Sequence, residues 1–225
     1  MPKQTLEPKQ ARSRESLGRL MKAAREILNE KGLEGATVPR VAARAGLSPG
    51  SVYRRFPNMD ALMRAVVLET REALDAAVVS GLTPELAERL SLQAFATAMV
   101  RHSLASQRQN AGMLRAMLQF TLSHKNAAFK QRIAELNARS LQRVADFLVL
   151  KRSEIDHPDP QKGLPIALML VGTMLQQIIV LDAQPGLPIS QPAFTDDEVV
   201  EELTRAFLRY LGADVKSKSG RRDPD

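Results

Sequence analysis

The sequence predicts an all-α fold of about nine helices, because apolar residues recur with helical period along most of the chain and no strand pattern competes with them. Aromatic residues make up only 4% of the 225 residues, with no Trp and two Tyr, which disfavours a β-sandwich or a β-barrel. The sequence contains no cysteine. Disulfides, thiolate metal sites and cysteine nucleophiles are therefore excluded.

The predicted helices follow one another with short breaks between them. They cover residues 13–31, 38–45, 49–56, 59–79, 84–107, 111–123, 126–151, 164–182 and 195–212. Gly32 is a typical helix stop, and the run His-Pro-Asp-Pro at 157–160 interrupts the chain. The proline-rich segment 184–194 is a predicted loop. Thr195 and Glu198 have the spacing of a capping box, which predicts the start of the last helix.

The positive charge of the sequence is concentrated near its start. The net charge is +7; residues 1–60 carry 12 Lys and Arg against 6 Asp and Glu, whereas residues 61–225 carry 20 against 19. A local basic excess is the electrostatic footprint of a protein that binds a polyanion, either nucleic acid or an anionic membrane surface. A solvated basic face without a partner would have the same composition, so the charge alone leaves both interpretations open.

One segment is apolar enough to raise the question of a membrane. The 19 residues between Lys162 and Asp182 are all uncharged, which meets the lower limit of length for a membrane-spanning helix. The adjacent Gln176 and Gln177 favour instead a helix that is buried in a protein core or in an interface. The N-terminus has no apolar run and is no secretory signal. We therefore expect a cytoplasmic protein.

The segment with the clearest functional pattern is 37–56, TVPRVAARAGLSPGSVYRRF. Thr37 can cap a first short helix, Gly46 can supply the left-handed residue of a tight turn, and Ser48 can cap a second helix. The residues that this arrangement turns inward are Val41, Ala42, Ala45, Leu47, Val52 and Phe56. The residues left outward on the second helix are Gly50, Ser51, Tyr53 and Arg54. The pattern predicts a helix-turn-helix whose second helix can enter a DNA major groove.

A plain helical hairpin within a bundle is the alternative for this segment. A solubilising hairpin would present a mixture of charges, whereas the second helix presents small and polar side chains with one Tyr and two Arg. Small side chains permit close approach to DNA, and Tyr, Ser and Arg can donate hydrogen bonds to phosphates or base edges. The outward residues therefore favour DNA binding.

Residues 13–62 resemble the DNA-binding domain of the TetR family of bacterial transcriptional regulators. The matching positions are Thr37, Val41-Ala42, Ala45-Gly46-Leu47-Ser48, Gly50, the Tyr53-x-x-Phe56 pair and Leu62. The resemblance covers less than a quarter of the chain. Two positions depart from the family pattern: Arg55 stands where the family often has His, and Met59 stands where it often has Lys.

The resemblance implies which side chains contact DNA. The residues expected at the sugar-phosphate backbone are Thr37, Ser51 and Tyr53, and those expected near the bases are Ser48, Pro49, Gly50 and Arg54. Arg55 can still hold a phosphate, whereas Met59 cannot. Arg40 and Arg44, on the first motif helix, are candidates to replace that contact, although Arg44 is equally consistent with a plain surface position.

The resemblance also implies a domain organisation. We expect a flexible arm at 1–12, a DNA-binding domain at 13–62, a domain at 63–212 that binds a ligand and dimerises, and a disordered tail at 213–225. Apolar and polar side chains suited to a ligand pocket are Phe95, Met99, His102, Met113, Met117, Phe120, Phe147, Met169, Met174 and Gln177, with Gln119 and His124 as further polar candidates. The alternative for the Met and Phe positions is an ordinary hydrophobic core.

The dimer interface is predicted on the charge-free helix and on the last helix. Two such helices from each subunit would build a four-helix interface, while burial within one subunit is the alternative. The candidate interface residues are Ile166, Leu170, Thr173, Gln177, Val199, Leu203, Phe207 and Tyr210. The three His have no metal-ligand spacing, so no metal or cofactor is expected.

These observations predict a homodimeric transcriptional repressor that a small apolar ligand releases from a two-fold-like DNA operator, with the helix 59–79 carrying the signal. A sequence-independent architectural DNA-binding protein is the alternative, but the modest charge and the nearly neutral second domain argue against it. A helical enzyme or carrier is a further alternative. The sequence lacks G-x-S-x-G, a P-loop, a dinucleotide glycine motif and H-E-x-x-H, so no enzyme is expected.

Overall fold

Ten α-helices and one short 3-10 helix account for most of residues 8–181 and 194–213, which are the residues that the computed structural model describes. The α-helices are α1 (Pro8–Gly35), α2 (Val38–Ala45), α3 (Pro49–Tyr53), α4 (Met59–Gly81), α5 (Pro84–Arg89), α6 (Leu92–Gln109), α7 (Ala111–Ser123), α8 (Ala127–Val149), α9 (Pro160–Leu181) and α10 (Asp196–Tyr210). The 3-10 helix covers Arg152–Glu154. These ranges contain no strand, so the predicted all-α class is confirmed.

One predicted helix is in fact two. The segment 84–107 is interrupted because Leu90 adopts an extended conformation, with φ −106° and ψ 138°. The side chain of Ser91 then accepts a hydrogen bond from the backbone N–H of Ala94 at 3.2 Å, which caps the start of α6. The capping serine was the local signal for this break, and it raises the number of helices above the predicted nine.

Several helix ends differ from the predicted bounds. α1 begins at Pro8, so residues 8–12 of the predicted arm are helical, whereas residues 1–7 lie outside the described part of the chain. Gly32 interrupts α1 with φ 66° and ψ −170°, where the sequence predicted the stop. α3 is shorter than predicted and α9 starts earlier, at Pro160, where a proline is tolerated in the first turn. Most of the predicted loop 184–194 and of the predicted tail lies outside the described residues.

The chain forms two compact units, and their boundary differs from the predicted division at residue 62. Among the described residues, unit 1 contains residues 8–74 and 110–136, and unit 2 contains residues 75–109, 137–181 and 194–213. α7 packs along α1, and for that reason it belongs to unit 1 together with the helix-turn-helix rather than to the second part of the chain.

The core of unit 1 gathers apolar side chains from α1, α2, α3, α4, α7 and α8. Its fully buried members include Leu20, Ile27, Leu28, Val41, Val52, Leu62 and Val66. Of the residues predicted to face inward, Leu47 and Phe56 are half-buried against this core and the others are buried. Val52 is the buried residue of α3, and burial of one such side chain contributes about 1.5–3 kcal/mol.

The core of unit 2 contains an aromatic pair. The rings of Phe95 in α6 and Phe147 in α8 are both buried, with centroids 4.9 Å apart and planes tilted by 38°. Two ion pairs join α6 to the first turn of α10, Arg101 with Asp197 and Arg108 with Asp196, each at 2.7 Å. The capping box predicted at the start of α10 is confirmed, because the Thr195 hydroxyl accepts the Glu198 N–H and the Glu198 carboxylate accepts the Thr195 N–H.

α9 has one face inside unit 2 and one face outside it. Leu164, Ala167, Leu175 and Ile179 are buried, and α9 packs on α6 and α10. The opposite side consists of exposed side chains at helical spacing, Ile166, Met169, Leu170, Thr173, Met174 and Gln177. Among the described residues α9 is the one helix long and apolar enough to span a membrane by length and composition.

Candidate nucleic-acid interface

The turn between α2 and α3 is closed by the left-handed conformation of Gly46, with φ 66° and ψ 38°. The N–H of Gly46 donates to the carbonyl of Ala43 at 3.1 Å, and the N–H of Leu47 donates to the carbonyl of Ala42 at 2.9 Å. This pair of bonds is a Schellman motif, in which a residue with positive φ terminates the first helix. The predicted helix-turn-helix geometry is present at the predicted residues.

A chain of side-chain hydrogen bonds runs along the exposed face of α3. The Ser48 hydroxyl caps the helix by accepting the Ser51 N–H at 3.2 Å, and the hydroxyls of Ser48 and Ser51 lie 2.9 Å apart. Nη2 of Arg54 donates to Oγ of Ser51 at 2.9 Å. The chain brings three predicted DNA-contacting residues together, and it presents hydroxyl and guanidinium groups to solvent without any carboxylate.

The remaining outward residues of α3 leave its surface open. Pro49 and Gly50 are exposed, and the Tyr53 side chain is 52% exposed. A Cβ added at Gly50 would meet nothing within 4 Å, and its φ is not positive, so neither packing nor backbone conformation in this chain requires glycine there. Glycine also costs helix stability relative to alanine. A residue without a side chain at this position is what the close approach of a partner would require.

The candidates on α2 are in three different environments. Thr37 occupies the N-cap position in an extended conformation, but its side chain makes no capping hydrogen bond, so its hydroxyl is exposed and available. Nη1 of Arg40 donates to the carbonyl of Gly35, at the end of α1. Arg44 is turned toward α1, where it donates to both carboxylate oxygens of Glu30 and lies 3.4 Å from Glu26. Arg44 therefore holds α2 against α1.

The ion pair between Arg44 and Glu30 shifts the pKa of both side chains. The hydrogen bond from Arg44 lowers the pKa of Glu30, and the same bond raises the pKa of Arg44 above its ordinary value. A guanidinium engaged by two carboxylates is poorly placed to bind a phosphate, because phosphate would have to displace them. Of the two interpretations that the sequence left open for Arg44, the geometry favours a structural surface position.

Arg55 is also hydrogen-bonded to α1, but its partners are neutral oxygens. Its Nη2 donates to the backbone carbonyl of Ser13 at 3.1 Å and lies 2.9 Å from the hydroxyls of both Ser13 and Ser16. These bonds fix the second turn of α1 beside the end of α3. Sequence reasoning missed the role of the two serines, since nothing local relates residues 13 and 16 to position 55. Met59, the other departure from the family pattern, is half-buried against the core of unit 1.

The predicted pocket residues are divided between the two units. Met113, Met117 and Phe120 belong to unit 1, where Met113 and Phe120 are buried and Met117 packs against the core. In unit 2 the structure brings Phe95 and Phe147 together, with Met99 half-buried on the same helix as Phe95. The remaining pocket candidates are exposed, namely His102, Met169, Met174 and Gln177. The ten residues therefore do not line one cavity within either unit.

A polar cleft of about 480 Å³ lies in unit 1 at the end of α7, and its lining residues are Asp60, Arg64, Phe120, Ser123, His124, Lys125 and Asn126. Nε2 of His124 lies 2.8 Å from the Asp60 carboxylate, while Nδ1 accepts the N–H of Asn126 at 3.0 Å. Because Nδ1 accepts a hydrogen bond, the proton of the neutral ring is assigned to Nε2. His124 is thus a hydrogen-bonded residue that joins α7 to α4, and no local pattern in the sequence predicts this contact.

The predicted interface residues fall into two groups. Ile166, Leu170, Thr173 and Gln177 are on the exposed face of α9, and Tyr210 on α10 is 37% exposed. Val199 and Phe207 are instead buried in the core of unit 2, at 6% and 2% exposure, so these two predicted positions are corrected to core residues. Leu203 is half-buried. The part of the chain that the structure describes contains no cluster of three or more His, Asp or Glu able to hold a metal ion.

Comparisons with known proteins agree with this geometry. Residues 20–66 match the sequence model of the bacterial regulatory proteins of the tetR family. The chain is 25% identical over 193 residues to the HTH-type transcriptional regulator BetI of Escherichia coli O157:H7, an alignment that covers 84% of this chain and 90% of BetI.

Solved structures share the fold. A bacterial regulatory protein in the tetR family from Rhodococcus RHA1 superposes with a TM-score of 0.63 at 17% identity, covering 89% of this chain and 98% of that one. The transcriptional regulator FadR from Bacillus subtilis, in complex with stearoyl-CoA, superposes with a TM-score of 0.61 at 14% identity, covering 87% and 97%. With the helix-turn-helix at the predicted residues, the family model and the BetI alignment support a helix-turn-helix transcriptional regulator of the TetR family, and the solved structures show that its fold is shared.

Proposed function

We propose that this chain is a homodimeric repressor that binds a two-fold-like operator through α3 and is released from it by a small apolar ligand. The observation that carries the proposal is the open face of α3. Its helix is anchored by the buried Val52, while Gly50, Tyr53 and Arg54 are exposed. A short helix that is fixed from behind and presents small and donor groups in front suits the major groove.

The exposed face of α9 supports the dimer. Ile166, Met169, Leu170 and Met174 are between 39% and 56% exposed, and they are spaced at three and four residues along one helix. A contiguous apolar stripe on a soluble protein marks an interaction surface. A second copy of the same face would cover it, and the two-fold symmetry of such a contact would match the proposed symmetry of the operator.

The effector is supported by the composition of unit 2 and by one solved structure of the same fold. Unit 2 contains the predicted pocket residues Phe95, Met99 and Phe147. FadR from Bacillus subtilis was solved in complex with stearoyl-CoA, which joins a long apolar acyl chain to a charged CoA group, so a long-chain acyl-CoA is the first probe of whether unit 2 accepts an apolar chain. α4 runs through the boundary between the units, at Leu74, which suits the proposed role of this helix in carrying the signal.

The test begins with a selection of operator sequences. Full-length protein is incubated with a pool of random duplexes at about 150 mM salt, and the enriched duplex is compared with a scrambled duplex in a titration at the same salt. The proposal expects a two-fold-like consensus and a preference of about a thousandfold or more. Tyr53→Ala and Arg54→Ala should abolish this preference with an unchanged melting temperature, while Arg89→Ala, on α5 in unit 2, should bind as the wild type does.

The outcomes separate the alternatives. Equal affinity for both duplexes at all salt concentrations would support an architectural DNA-binding protein and contradict a repressor. Normal operator binding by Tyr53→Ala would contradict the assignment of α3 as the recognition helix. If a long-chain acyl-CoA raises the melting temperature of the protein and releases it from the operator, the effector is a molecule with a long acyl chain. If it binds without releasing the operator, the proposed coupling is wrong for this ligand.

A further inference from the structure

The polar cleft at the end of α7 contains a carboxylate whose charge is already balanced. Oδ2 of Asp60 accepts a hydrogen bond from Nε of Arg64 at 3.0 Å, and Oδ1 lies 2.8 Å from Nε2 of His124. Both oxygens of Asp60 therefore have a partner, and the positive charge of Arg64 compensates the negative charge of the carboxylate. Asp60 is the one acidic residue among the seven that line the cleft, so the lining does not repel an anion.

Two cationic side chains of the cleft keep unused hydrogen-bond donors. Lys125, in the segment between α7 and α8, is exposed and has no ion pair or hydrogen bond with any residue that the structure describes. Arg64 is half-buried and uses only Nε in its bond to Asp60, so Nη1 and Nη2 are without a partner in the described part of the chain. With Arg64 and Lys125 against Asp60, the charged side chains of the lining sum to +1. This balance favours an anionic ligand.

Asn126 adds a neutral donor beside these cations. Its Oδ1 accepts the N–H of Phe129 at 2.8 Å and so caps the start of α8. Because the oxygen of the amide makes this bond, the NH2 group of the same side chain remains as a donor. Asn126 lines the same cleft as Lys125 and Arg64. Ammonium, guanidinium and amide donors in one cleft provide the charge-assisted hydrogen bonds that carboxylate and phosphate groups accept.

The cleft is larger than a simple ion requires. Its volume of about 480 Å³ lies within the range of pockets that bind small organic molecules. Phe120 and His124 also line it, and their rings lie 4.9 Å apart, so part of the wall is aromatic. An aromatic ligand body can pack on such a wall while its charged group is held by the cations.

We propose that this cleft is a binding site for small organic anions. Lys125, Arg64 and Asn126 hold the carboxylate or phosphate group of the ligand, and an aromatic body packs against Phe120. The site lies within unit 1 and is therefore separate from the effector binding proposed for unit 2. Arg64 belongs to α4, whereas Lys125 and Asn126 connect α7 to α8, so a bound anion joins these helices and stabilises the folded state of unit 1.

The first experiment compares charged and neutral probes of the same shape. Full-length protein without DNA is titrated with benzoate and with benzamide by calorimetry at constant ionic strength. Phenyl phosphate and phenol form a second pair. At least one of the two anions should bind about tenfold or more tightly than its neutral partner, because only the anion makes charge-assisted hydrogen bonds. The tighter of the two anions shows whether the cleft prefers a carboxylate or a phosphate group.

Substitution of Lys125 tests the position of the site. Lys125→Gln removes an unpaired ammonium group from an exposed residue, and it should weaken binding of the preferred anion by about tenfold. Lys125→Arg keeps the charge and should retain the affinity. The matched control is Lys130→Gln, since Lys130 is exposed near the start of α8 but does not line the cleft. It removes the same charge nearby and should bind the anion as the wild type does.

Thermal melts and amide chemical shifts provide independent readouts. The preferred anion should raise the melting temperature of the wild type more than that of Lys125→Gln, and the melts without ligand establish that each variant is folded. In an isotope-labelled sample, the amide signals of residues 123–126 should shift most when the anion is added.

Three results would overturn the proposed site. They are equal affinity for the charged and neutral probes, equal affinity of Lys125→Gln and the wild type, and chemical shift changes on α3 in place of residues 123–126, which would put the anion on the DNA-binding face. No DNA is present in these measurements, so their outcome is independent of whether the chain is a repressor.

Discussion

The carboxamide oxygen of Asn29, in α1, accepts a hydrogen bond at 3.0 Å from the backbone N–H of Met113, in the first turn of α7. Beside it, a Cβ at Gly112 would overlap the backbone carbonyl of Asn29, so the two helices approach each other at backbone distance. At the other end of α7, His124 is bonded to Asp60 of α4. α7 is therefore attached at both ends to helices of the helix-turn-helix unit.

The close approach at Gly112 makes a sharp prediction about stability. Gly112→Ala forces the new methyl group into the backbone of α1, which cannot move aside as a flexible side chain would. We expect a loss of about 1–3 kcal/mol in the free energy of unfolding, the usual cost of overpacking. The measurement is urea unfolding followed by circular dichroism at a fixed protein concentration.

Gly18→Ala is the matched control for this prediction. Gly18 is also in a helix that contacts α7, but it is exposed and a Cβ there meets nothing within 4 Å. Alanine is the better helix former, so this variant should be more stable than the wild type by about 0.5–1 kcal/mol. Equal effects of the two substitutions would show that the backbone contact between α1 and α7 is absent in solution.

The second prediction concerns His124. Its ring lies 4.9 Å from the rings of both Phe120 and Phe129, and only 9% of its side chain is exposed. His124→Ala removes this packing and the bonds to Asp60 and Asn126, and we expect it to cost about 1–3 kcal/mol. His102→Ala is the control, since His102 is exposed and should change stability by less than about 0.5 kcal/mol. Thermal melts of both variants show whether His124 stabilises the contact between α7 and α4 or is an ordinary surface histidine.

The third prediction separates the fold from DNA binding at a single residue. Gly50→Ala meets nothing in this chain and improves helix propensity, so the free energy of unfolding should stay equal or rise by up to about 1 kcal/mol. The added methyl group should obstruct the approach of DNA and weaken operator binding by about tenfold or more, equivalent to about 1.4 kcal/mol. Anisotropy titration on the selected operator measures this. Unchanged affinity would mean that α3 does not approach DNA closely at this position.

The success of the sequence-based prediction for the helix-turn-helix has a local cause. The turn at Gly46 and the cap at Ser48 depend on residues within five positions of each other, so their chemistry can be read from one short segment. The contacts of Arg44 and Arg55 could not be found in this way. Their partners lie 14 to 42 residues away in α1, and an exposed arginine has the same appearance in the sequence whether it binds DNA or a carboxylate.

The errors at Val199 and Phe207 have a related cause. Both lie on the apolar side of an amphipathic helix. Amphipathicity predicts that this side is buried, but it does not distinguish burial within one subunit from burial against a second subunit. In this chain α6 covers it, with which α10 makes two ion pairs. Sequence reasoning also missed the buried Asp75. Its hydrogen bonds to Ser140 and Arg143 join α4 to α8 across more than 60 residues of sequence, so no local pattern indicates them.

The fourth prediction follows from Asp75, which is only 6% exposed. Burial acts to raise the pKa of Asp75, but the hydrogen bond from Ser140 and the charges of Arg143 and Arg139 outweigh it, and the pKa is lowered from its ordinary value of 3.8. A carboxylate with a lowered pKa stabilises the folded state above its unfolded pKa, and this contribution is lost as the pH falls through the folded value. Asp75→Asn should therefore be less stable than the wild type at pH 7.

The pH profile distinguishes this charge effect from lost packing. The difference in melting temperature between Asp75→Asn and the wild type should shrink as the pH falls below about 4, where Asp75 begins to bind a proton in the unfolded chain. Asp146→Asn is the control, because Asp146 is exposed and bonded within α8 to Gln142, so its effect should be small throughout. A difference for Asp75→Asn that persists at low pH would assign the loss to packing rather than to charge.

The last prediction tests the exposed face of α9. Leu170 is 56% exposed in the single chain, at the middle of the apolar stripe. In the proposed dimer this position is covered, and Leu170→Glu would bury an unpaired charge, which costs several kcal/mol in a desolvated interface. We expect this variant to sediment as a folded monomer at concentrations where the wild type is a dimer, and to bind a single half-site weakly instead of the full operator.

Leu122→Glu provides the control because Leu122 is 77% exposed on α7, in unit 1 and outside the stripe. It introduces the same charge in place of the same side chain, so it should remain a dimer and bind the operator as the wild type does. Since exposure in the single chain is greater at Leu122 than at Leu170, only coverage by a second subunit can make Leu170 the more sensitive position. A dimeric Leu170→Glu would therefore place the interface elsewhere and remove the main support for the α9 face.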